Sequence, residues 1–105
     1  MKLLFICNQN QHRSKTAEKL FRNQFETKSA GLYNETPVTL EQLTWADIVV
    51  VMEPEQRIEL LKRFPVNTLQ KRVLCLNISD AYHYNQPELI HQLTSALPIL
   101  IEPFT

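Results

Sequence analysis

The sequence places a cysteine, an arginine and a serine close together near its start, in the stretch CNQNQHRS (residues 7–14). A thiolate is a strong nucleophile, and the planar guanidinium of an arginine matches the oxygen atoms of a phosphate group. A serine hydroxyl next to a thiolate can donate a hydrogen bond to it. Cys7, Arg13 and Ser14 therefore have the chemistry needed to attack a phosphate-sized anion. The alternative is a buried thiol at Cys7 and a solvated arginine that merely starts a helix.

The segments on either side of this stretch are typical of a strand and a helix. An apolar run over residues 3–6 ends at Cys7, and the residues after Ser14, which is a predicted helix cap, have helical spacing. A loop between a buried strand and a helix N-terminus presents backbone N–H groups to an anion, and the same positive environment favours a thiolate over a thiol. The residues predicted to bind phosphate are Asn8, Gln9, Asn10, Gln11, His12, Arg13 and Ser14.

Four segments read as strands, namely residues 2–7, 27–32, 47–52 and 72–77. Three of them are continuously apolar, as strands covered on both faces of a parallel sheet are, and the weaker segment 27–32 ends near Gly31, the only glycine. Helical patterns follow Ser14 and cover residues 38–45, 54–64 and 87–97. The alternation predicts one three-layer α/β domain over residues 1–105, with a four-stranded parallel sheet flanked by helices and a phosphate-binding loop after strand 1. The apolar tail, interrupted by two prolines, is expected to pack on the core or on a partner.

The composition is that of an ordinary globular protein, with 44% hydrophobic and 21% charged residues and a formal net charge of zero. Nothing in this balance attracts nucleic acid or an anionic membrane. Cys7 and Cys75 lie far apart in no CxxC pattern, so both are expected to be free thiols of a cytoplasmic protein, with Cys75 in the core. No apolar run is long enough for a signal peptide or a membrane span, and no residue cluster predicts a metal or another cofactor.

The segment FICNQNQHRSKTAE resembles the signature of the low-molecular-weight protein tyrosine phosphatases, Cys-x-Gly-Asn-x-Cys-Arg-Ser-Pro-x-Ala-Glu. Cys7, Asn10, Arg13, Ser14 and the segment TAE (16–18) match in register. KSAGL (28–32) and VVVME (49–53) resemble later parts of the same family, in a short form similar to compact bacterial predicted phosphatases. The resemblance implies a four-stranded parallel sheet and a metal-independent, two-step hydrolysis of phosphate monoesters through a cysteinyl-phosphate.

The resemblance also implies a proton donor in the loop after the fourth strand. In this chain Asp80 is the only carboxylate of the segment NISDAYHY (77–84), although Ala81 stands where the family has a proline. Asp80 is therefore the predicted general acid, with an ordinary turn residue as the alternative and His83 as the other candidate donor. Tyr82 and Tyr84 are expected either to form an aromatic rim to the cleft or to pack half-buried.

Several residues depart from the family pattern. Gln9 replaces a glycine, so it is expected to keep an ordinary backbone conformation while Asn10 adopts the left-handed one. By resemblance, the Asn10 side chain joins a hydrogen-bond network with Ser29. His12 stands where the family often has a second cysteine. It is expected to point to solvent, with added positive charge near the thiolate as the alternative. Glu53 is expected to cap the following helix, with a contact to the site as the alternative.

The sequence therefore predicts a cysteine-dependent phosphatase acting on a phosphoprotein, phosphotyrosine included, or on a small phosphate ester. One alternative is a non-catalytic phosphate- or anion-binding module. Another is a thiol-dependent arsenate reductase, which is disfavoured because such enzymes use additional cysteines and only Cys75 remains. A nucleic-acid terminal phosphate stays open as a substrate without a basic stripe to support it. No membrane partner is expected, and the oligomeric state is not predicted.

Overall fold

The computed structural model describes residues 1–105, in which four parallel strands form one sheet in the order β2-β1-β3-β4. The strands are β1 (Lys2–Cys7), β2 (Glu26–Gly31), β3 (Ile48–Val51) and β4 (Arg72–Cys75). The helices are α1 (Arg13–Phe21), α2 (Leu40–Trp45), α3 (Pro54–Arg63), α4 (Pro65–Gln70) and α5 (Pro87–Ile101), followed by a 3₁₀ turn (Glu102–Phe104). The predicted α/β fold with a four-stranded parallel sheet is confirmed.

The two central strands are buried on both faces, which explains why their sequences are continuously apolar. In β1, Leu3, Phe5 and Cys7 belong to a core cluster shared with α1 and α5. Leu4 and Ile6 point to the opposite side and belong to a second cluster shared with α2 and α3. Each face of the sheet is thus covered by helices, as parallel sheets require.

The parallel register brings the carboxyl ends of the strands to one edge of the sheet. Cys7 lies opposite Gly31 on β2, and Val51 at the end of β3 lies opposite Cys75 on β4. The loops that follow these strand ends therefore meet above a single edge, where ligands bind in folds of this kind.

Helix boundaries differ from the sequence prediction at three places. α1 is N-capped by His12 rather than Ser14, which lies within the first turn. Pro65 ends α3, as predicted, but it also starts α4, because proline fits the first turn of a helix. α5 continues through Pro98 to Ile101.

The extension of α5 is held by packing against the sheet. Leu89, Leu93, Leu97 and Ile101 recur every four residues and are all buried in the first core cluster. The apolar tail thus packs on the core, which was one of its two expected destinations. None of the helices combines the length and apolar character that crossing a membrane requires.

Candidate active site

The loop that joins β1 to α1, here called the Cys7 loop (residues 7–13), frames a small cavity at the carboxyl edge of the sheet. The cavity has a volume of about 140 Å³ and is lined by Cys7, Gln9, Gln11, His12, Arg13 and Asp80. A cavity of this size has room for a phosphate group. The sequence-predicted nucleophile, arginine and acid therefore face the same space.

Cys7 is buried at the end of β1 and contacts a short chain of polar side chains. Its Sγ lies 2.9 Å from Ser14 Oγ, and Ser14 Oγ donates a hydrogen bond of 2.6 Å to Asn10 Oδ1. A hydroxyl has only one proton to donate, so in this arrangement the Cys7 thiol donates to Ser14. If the thiol loses its proton, the Ser14 hydroxyl can turn and donate to the thiolate instead.

The Cys7 loop closes without a glycine. Asn10 has a φ of 54°, in the left-handed region that asparagine tolerates better than most residues, whereas Gln9 is not among the residues with positive φ. The expected division of roles between Asn10 and Gln9 is confirmed. The Gln9 side chain is exposed and lines the mouth of the cavity.

The first turn of α1 adds backbone donors to the site. The first backbone hydrogen bond of the helix runs from the Thr16 N–H to the His12 carbonyl at 3.0 Å. The N–H groups of Arg13, Ser14 and Lys15 precede this bond and belong to the helix terminus, where no acceptor exists within the helix. A helix N-terminus of this kind attracts an anion through its free donors and its positive partial charge.

Arg13 is the most constrained side chain of the cavity, with 1% of its surface exposed. Its Nη1 donates to Glu53 Oε1 and to the Ile78 carbonyl oxygen, the latter at 2.8 Å. Its Nε lies 3.7 Å from Asp80 Oδ1 and has no hydrogen-bond partner although it is buried. Two contacts thus fix the guanidinium against the cavity, while one of its donors remains free for an anion.

Glu53 combines the two roles that the sequence suggested for it. It is the N-cap residue of α3, and its carboxylate pairs with Arg13. Gln56 adds side-chain contacts to this cap, since its Oε1 accepts from the N–H groups of Met52 at 2.7 Å and Glu53 at 3.0 Å. The position of Glu53 at the carboxyl end of β3 was the sequence signal that it could reach the site.

Gln56 also contacts the Cys7 loop, a contact that no pattern in the sequence indicated. The side chain is buried, and its Nε2 donates to Asn8 Oδ1 at 3.1 Å. The Asn8 carbonyl oxygen accepts from the N–H groups of Leu32 and Tyr33 at 2.9 and 2.8 Å. The Asn8 side chain therefore braces the loop and does not line the cavity.

Asp80 lies in the loop between β4 and α5, here called the Asp80 loop (residues 76–86), and 60% of its side chain is exposed. It lines the cavity, whereas His83, the other candidate proton donor, does not. The position of Asp80 is thus compatible with proton transfer to a group leaving from the cavity towards solvent.

The remaining predicted residues lie outside the cavity. Ser29 Oγ donates to the Glu18 carboxylate, so the implied network from Asn10 to Ser29 is absent, because Ser29 faces α1. Tyr82 packs against the first core cluster and accepts a hydrogen bond from Gln92 at 3.2 Å. The Tyr84 ring lies near Lys19 on α1, so neither tyrosine ring lines the cavity.

His12 does not point freely to solvent, contrary to the sequence prediction. It is half-buried, it lines the cavity, and its Nδ1 accepts a hydrogen bond of 3.0 Å from the Tyr84 N–H. Its ring also meets the His83 ring edge-on, with centroids 5.5 Å apart. His12 thus joins the Cys7 loop to the Asp80 loop.

The apolar surroundings of Cys75 in the sequence suggested that it is fully buried. In the structure it lies at the end of β4 and is only half-buried. Its Sγ lies 3.4 Å from Asn77 Oδ1. It is absent from the cavity lining, and no three His, Cys, Asp or Glu side chains in the chain are grouped as a metal site would need.

No protein-family model matches the sequence, and no curated protein matches it. Solved structures of low-molecular-weight phosphatases, in contrast, match over almost the whole chain. The tyrosine phosphatase Wzb from Escherichia coli K30, in complex with phosphate, has a TM-score of 0.81 at 18% identity and covers 99% of this chain and 98% of its own. The low-molecular-weight protein tyrosine phosphatase from T. tengcongensis has a TM-score of 0.78 at 20% identity and covers 98% of this chain and 99% of its own.

A third similar structure has a different substrate in its name. The YwlE arginine phosphatase from Geobacillus stearothermophilus has a TM-score of 0.67 at 19% identity and covers 99% of this chain and 97% of its own. Taken together, these structures show that the chain has the fold of the low-molecular-weight phosphatases. The resemblance predicted from the sequence is confirmed at the level of the fold.

Proposed function

We propose that the protein is a cysteine-dependent, metal-independent phosphate monoester hydrolase of the protein tyrosine phosphatase type. The observation that carries the proposal is that Cys7, Arg13 and Asp80 line one phosphate-sized cavity, although Asp80 is far from the other two in sequence. A nucleophile, a fixed cation and an acid are the groups that cleavage of a phosphate ester requires.

In the first step, the Cys7 thiolate attacks the phosphorus atom in line with the ester bond. The S–P bond forms while the P–O bond to the leaving group breaks, and the leaving oxygen takes the proton of the Asp80 carboxyl group. Arg13 and the free N–H groups of the loop and of α1 hold the non-bridging oxygens, so that charge developing in the transition state is stabilised by donors already in place.

In the second step, a water molecule attacks the cysteinyl-phosphate from the side that the leaving group has vacated. The Asp80 carboxylate accepts a proton from this water, the O–P bond forms, and the S–P bond breaks. Inorganic phosphate leaves, and the Cys7 thiolate and the protonated Asp80 are restored. The Ser14 hydroxyl can donate to the sulfur as the thiolate is regenerated.

We propose that the substrate is a phosphorylated protein, phosphotyrosine included, or a small phosphate ester. The mouth of the cavity contains Gln9 and Gln11, whose amides suit a polar surrounding of the phosphate. We place the protein in the cytoplasm, because two free cysteines that do not pair with each other suit a reducing compartment.

The proposal is tested by turnover of aryl phosphates and of phosphotyrosine and phosphoarginine peptides in the presence of a chelator. Wild-type protein should release phosphate, and Cys7→Ser should lower kcat/KM by at least about 1,000-fold, since it removes the nucleophile. Cys75→Ser is the matched control and should keep nearly full activity. Absence of turnover on every substrate would overturn the proposal, and turnover that survives Cys7→Ser would overturn the mechanism.

Two further assays separate the other functions. An anion-binding module would be stabilised by inorganic phosphate in a thermal melt yet release no phosphate from any ester. An arsenate reductase would reduce arsenate with a thiol reductant and would lose this activity on Cys75→Ser. Neither result is expected, because the cavity holds an acid for a leaving group and excludes Cys75.

A further inference from the structure

The Asp80 loop is fastened to the first turns of α1 by two consecutive backbone N–H groups. The Tyr84 N–H donates to His12 Nδ1 at 3.0 Å, and the Asn85 N–H donates to Thr16 Oγ1 at 2.8 Å. His12 and Thr16 are four residues apart and therefore lie on the same side of the helix start. We call this pair of acceptors the clasp.

The two acceptors of the clasp are themselves held in place. Thr16 is fully buried, and its hydroxyl donates to the His12 carbonyl oxygen at 2.7 Å while it accepts from Asn85. Asn85 has a φ of 59°, a backbone conformation that costs energy and is retained only where contacts support it. The clasp thus connects the Asp80 loop to the start of α1 through supported hydrogen bonds, although the two segments are about 70 residues apart in the chain.

The Asp80 side chain itself has few contacts that hold it in position. Its side chain makes no hydrogen bond, and its nearest charged partner, Arg13 Nε, is 3.7 Å away. The loop is anchored before Asp80 at Ile78, whose N–H donates to the Met52 carbonyl oxygen at 2.8 Å. After Asp80, the next contacts to another element of the fold that hold the loop backbone are those of the clasp.

We propose that His12 and Thr16 are positioning residues that hold the Asp80 loop over the cavity and so place the Asp80 carboxyl group for protonation of the leaving group. This inference rests on the proposed function. His12 also lines the cavity, whereas Thr16 does not, so Thr16 variants report on the clasp without altering the phosphate site directly.

The proposal predicts a dependence on the leaving group. An acid accelerates departure of a poor leaving group and contributes little when the leaving oxygen is already stable without a proton. Phenyl phosphate has a poor leaving group and dinitrophenyl phosphate a good one. Loss of the clasp should therefore slow the first substrate selectively, whereas damage to the phosphate site should slow both.

The experiment compares Thr16→Val and His12→Ala with the conservative variants Thr16→Ser and His12→Asn, which keep an acceptor near the original one. Thr16→Val should lower kcat/KM for phenyl phosphate by about 10-fold and for dinitrophenyl phosphate by less than about 2-fold, because the clasp supplies only a part of what a general acid contributes. His12→Ala also alters the cavity lining, so it should lower both values, and the value for phenyl phosphate by the larger factor. Thr16→Ser and His12→Asn should recover most of the loss. His91→Ala, at an exposed histidine on α5, is the control and should match wild type.

Two further measurements decide the mechanism. In an Asp80→Asn background, Thr16→Val should lower activity by less than about 2-fold more, because residues acting through one group are not additive. Hydrogen exchange of the Tyr84 and Asn85 amides in wild-type protein should be slow and should become fast in Thr16→Val.

Equal losses on both substrates, or full additivity with Asp80→Asn, would overturn the positioning role. Fast exchange of both amides in wild type would show that the clasp does not form and would also overturn it. Wild-type protein without turnover would overturn the proposed function together with the catalytic part of this inference, whereas the exchange experiment would still decide whether the loop is fastened.

Discussion

The turn of the Cys7 loop depends on one backbone conformation, the φ of 54° at Asn10. A residue with a Cβ in this region costs about 1–2 kcal/mol unless a side chain such as that of asparagine supports it. Asn10 does more than tolerate the conformation, because its Oδ1 also accepts the Ser14 hydroxyl next to Cys7. One residue thus closes the loop and orients the group that contacts the nucleophile.

Gln9→Gly, which introduces the glycine of the family pattern, should not increase the stability of the protein. Gln9 already has an ordinary φ, so a glycine there relieves no strain and adds freedom to the unfolded chain. We expect the free energy of unfolding in urea to fall by about 0.5–1 kcal/mol. Asn10→Ala, compared with Asn10→Gly, is the counterpart experiment, and here the glycine variant should be the more stable of the two. A gain of stability on Gln9→Gly would show that the strained turn is not confined to Asn10.

Glu53→Gln should destabilise the protein, and inorganic phosphate should reduce the loss. The substitution removes the negative partner of a buried arginine and leaves the Arg13 charge less compensated. We expect a loss of about 1–2 kcal/mol in urea unfolding without phosphate, less than for a fully buried pair because Glu53 is partly exposed. A phosphate ion in the cavity supplies the missing negative charge, so the loss should be at most half as large at saturating phosphate.

Glu55→Gln is the matched control for this experiment. Glu55 is exposed in the first turn of the same helix α3, so it shares the favourable position of Glu53 near a helix N-terminus without the contact to Arg13. Its loss should be a few tenths of a kcal/mol and independent of phosphate. Equal effects of phosphate on both variants would contradict the assignment of Glu53 as the partner of Arg13.

At the scale of elements, local sequence patterns located all four strands. Continuous apolar runs identify strands covered on both faces, and the bounds of all four strands agree within two residues, with the largest difference at the C-terminal end of β4. A separate α4 was missed because Pro65 reads as a stop signal, although proline is equally suited to start a helix. The extension of α5 past Pro98 was missed because tertiary packing of Leu97 and Ile101 outweighs the local cost of a proline.

The site residues also divide into those that a local pattern predicts and those that depend on tertiary contacts. Cys7, Arg13 and Ser14 lie within one local motif, so their types and spacing predicted a shared site. The contact of Gln56 with Asn8 spans 48 positions and that of Tyr84 with His12 spans 72. No local periodicity reports contacts of this kind, since they depend on how strand ends meet at the sheet edge.

Gln56 joins two elements, and its variants should separate the two contacts. Gln56→Leu removes the acceptor of the Met52 and Glu53 N–H groups at the start of α3, and it also removes the donor to Asn8. We expect a loss of about 2–3 kcal/mol in urea unfolding, because buried backbone donors are left without partners. Gln56→Glu keeps the acceptor oxygens but loses the donor to Asn8.

Activity on an aryl phosphate distinguishes these two variants further. Gln56→Glu should keep α3 capped, so its loss of stability should be smaller than that of Gln56→Leu, whereas both should lower kcat/KM through movement of the Cys7 loop. Gln42 offers a control, since its side chain makes a similar contact to the Thr39 N–H at the start of α2, away from the cavity. A Gln42→Leu variant that lost as much activity as Gln56→Leu would indicate that general destabilisation, not the Asn8 contact, explains the effect.

At the scale of the whole molecule, the candidate site is assembled from the ends of three different strands and the loops that follow them. β1 supplies Cys7, the end of β3 supplies Glu53, and the loop after β4 supplies Asp80. Parallel register brings these strand ends together, and helices pack on both faces of the sheet. The geometry of the candidate site therefore depends on the packed core, which includes the last helix as well as the first strand.

The C-terminal turn of α5 tests this dependence with two isoleucines that lie two positions apart. Ile101 is 4% exposed within the first core cluster, whereas Ile99 is 72% exposed. Ile101→Ala should lower the free energy of unfolding by about 2–4 kcal/mol, because it removes buried methyl groups and leaves a cavity. Ile99→Ala should change it by less than about 0.5 kcal/mol, as surface substitutions do. Thermal and urea unfolding of the two variants measure the difference. Losses of similar size would show that the end of α5 does not pack on the core as Ile101 indicates.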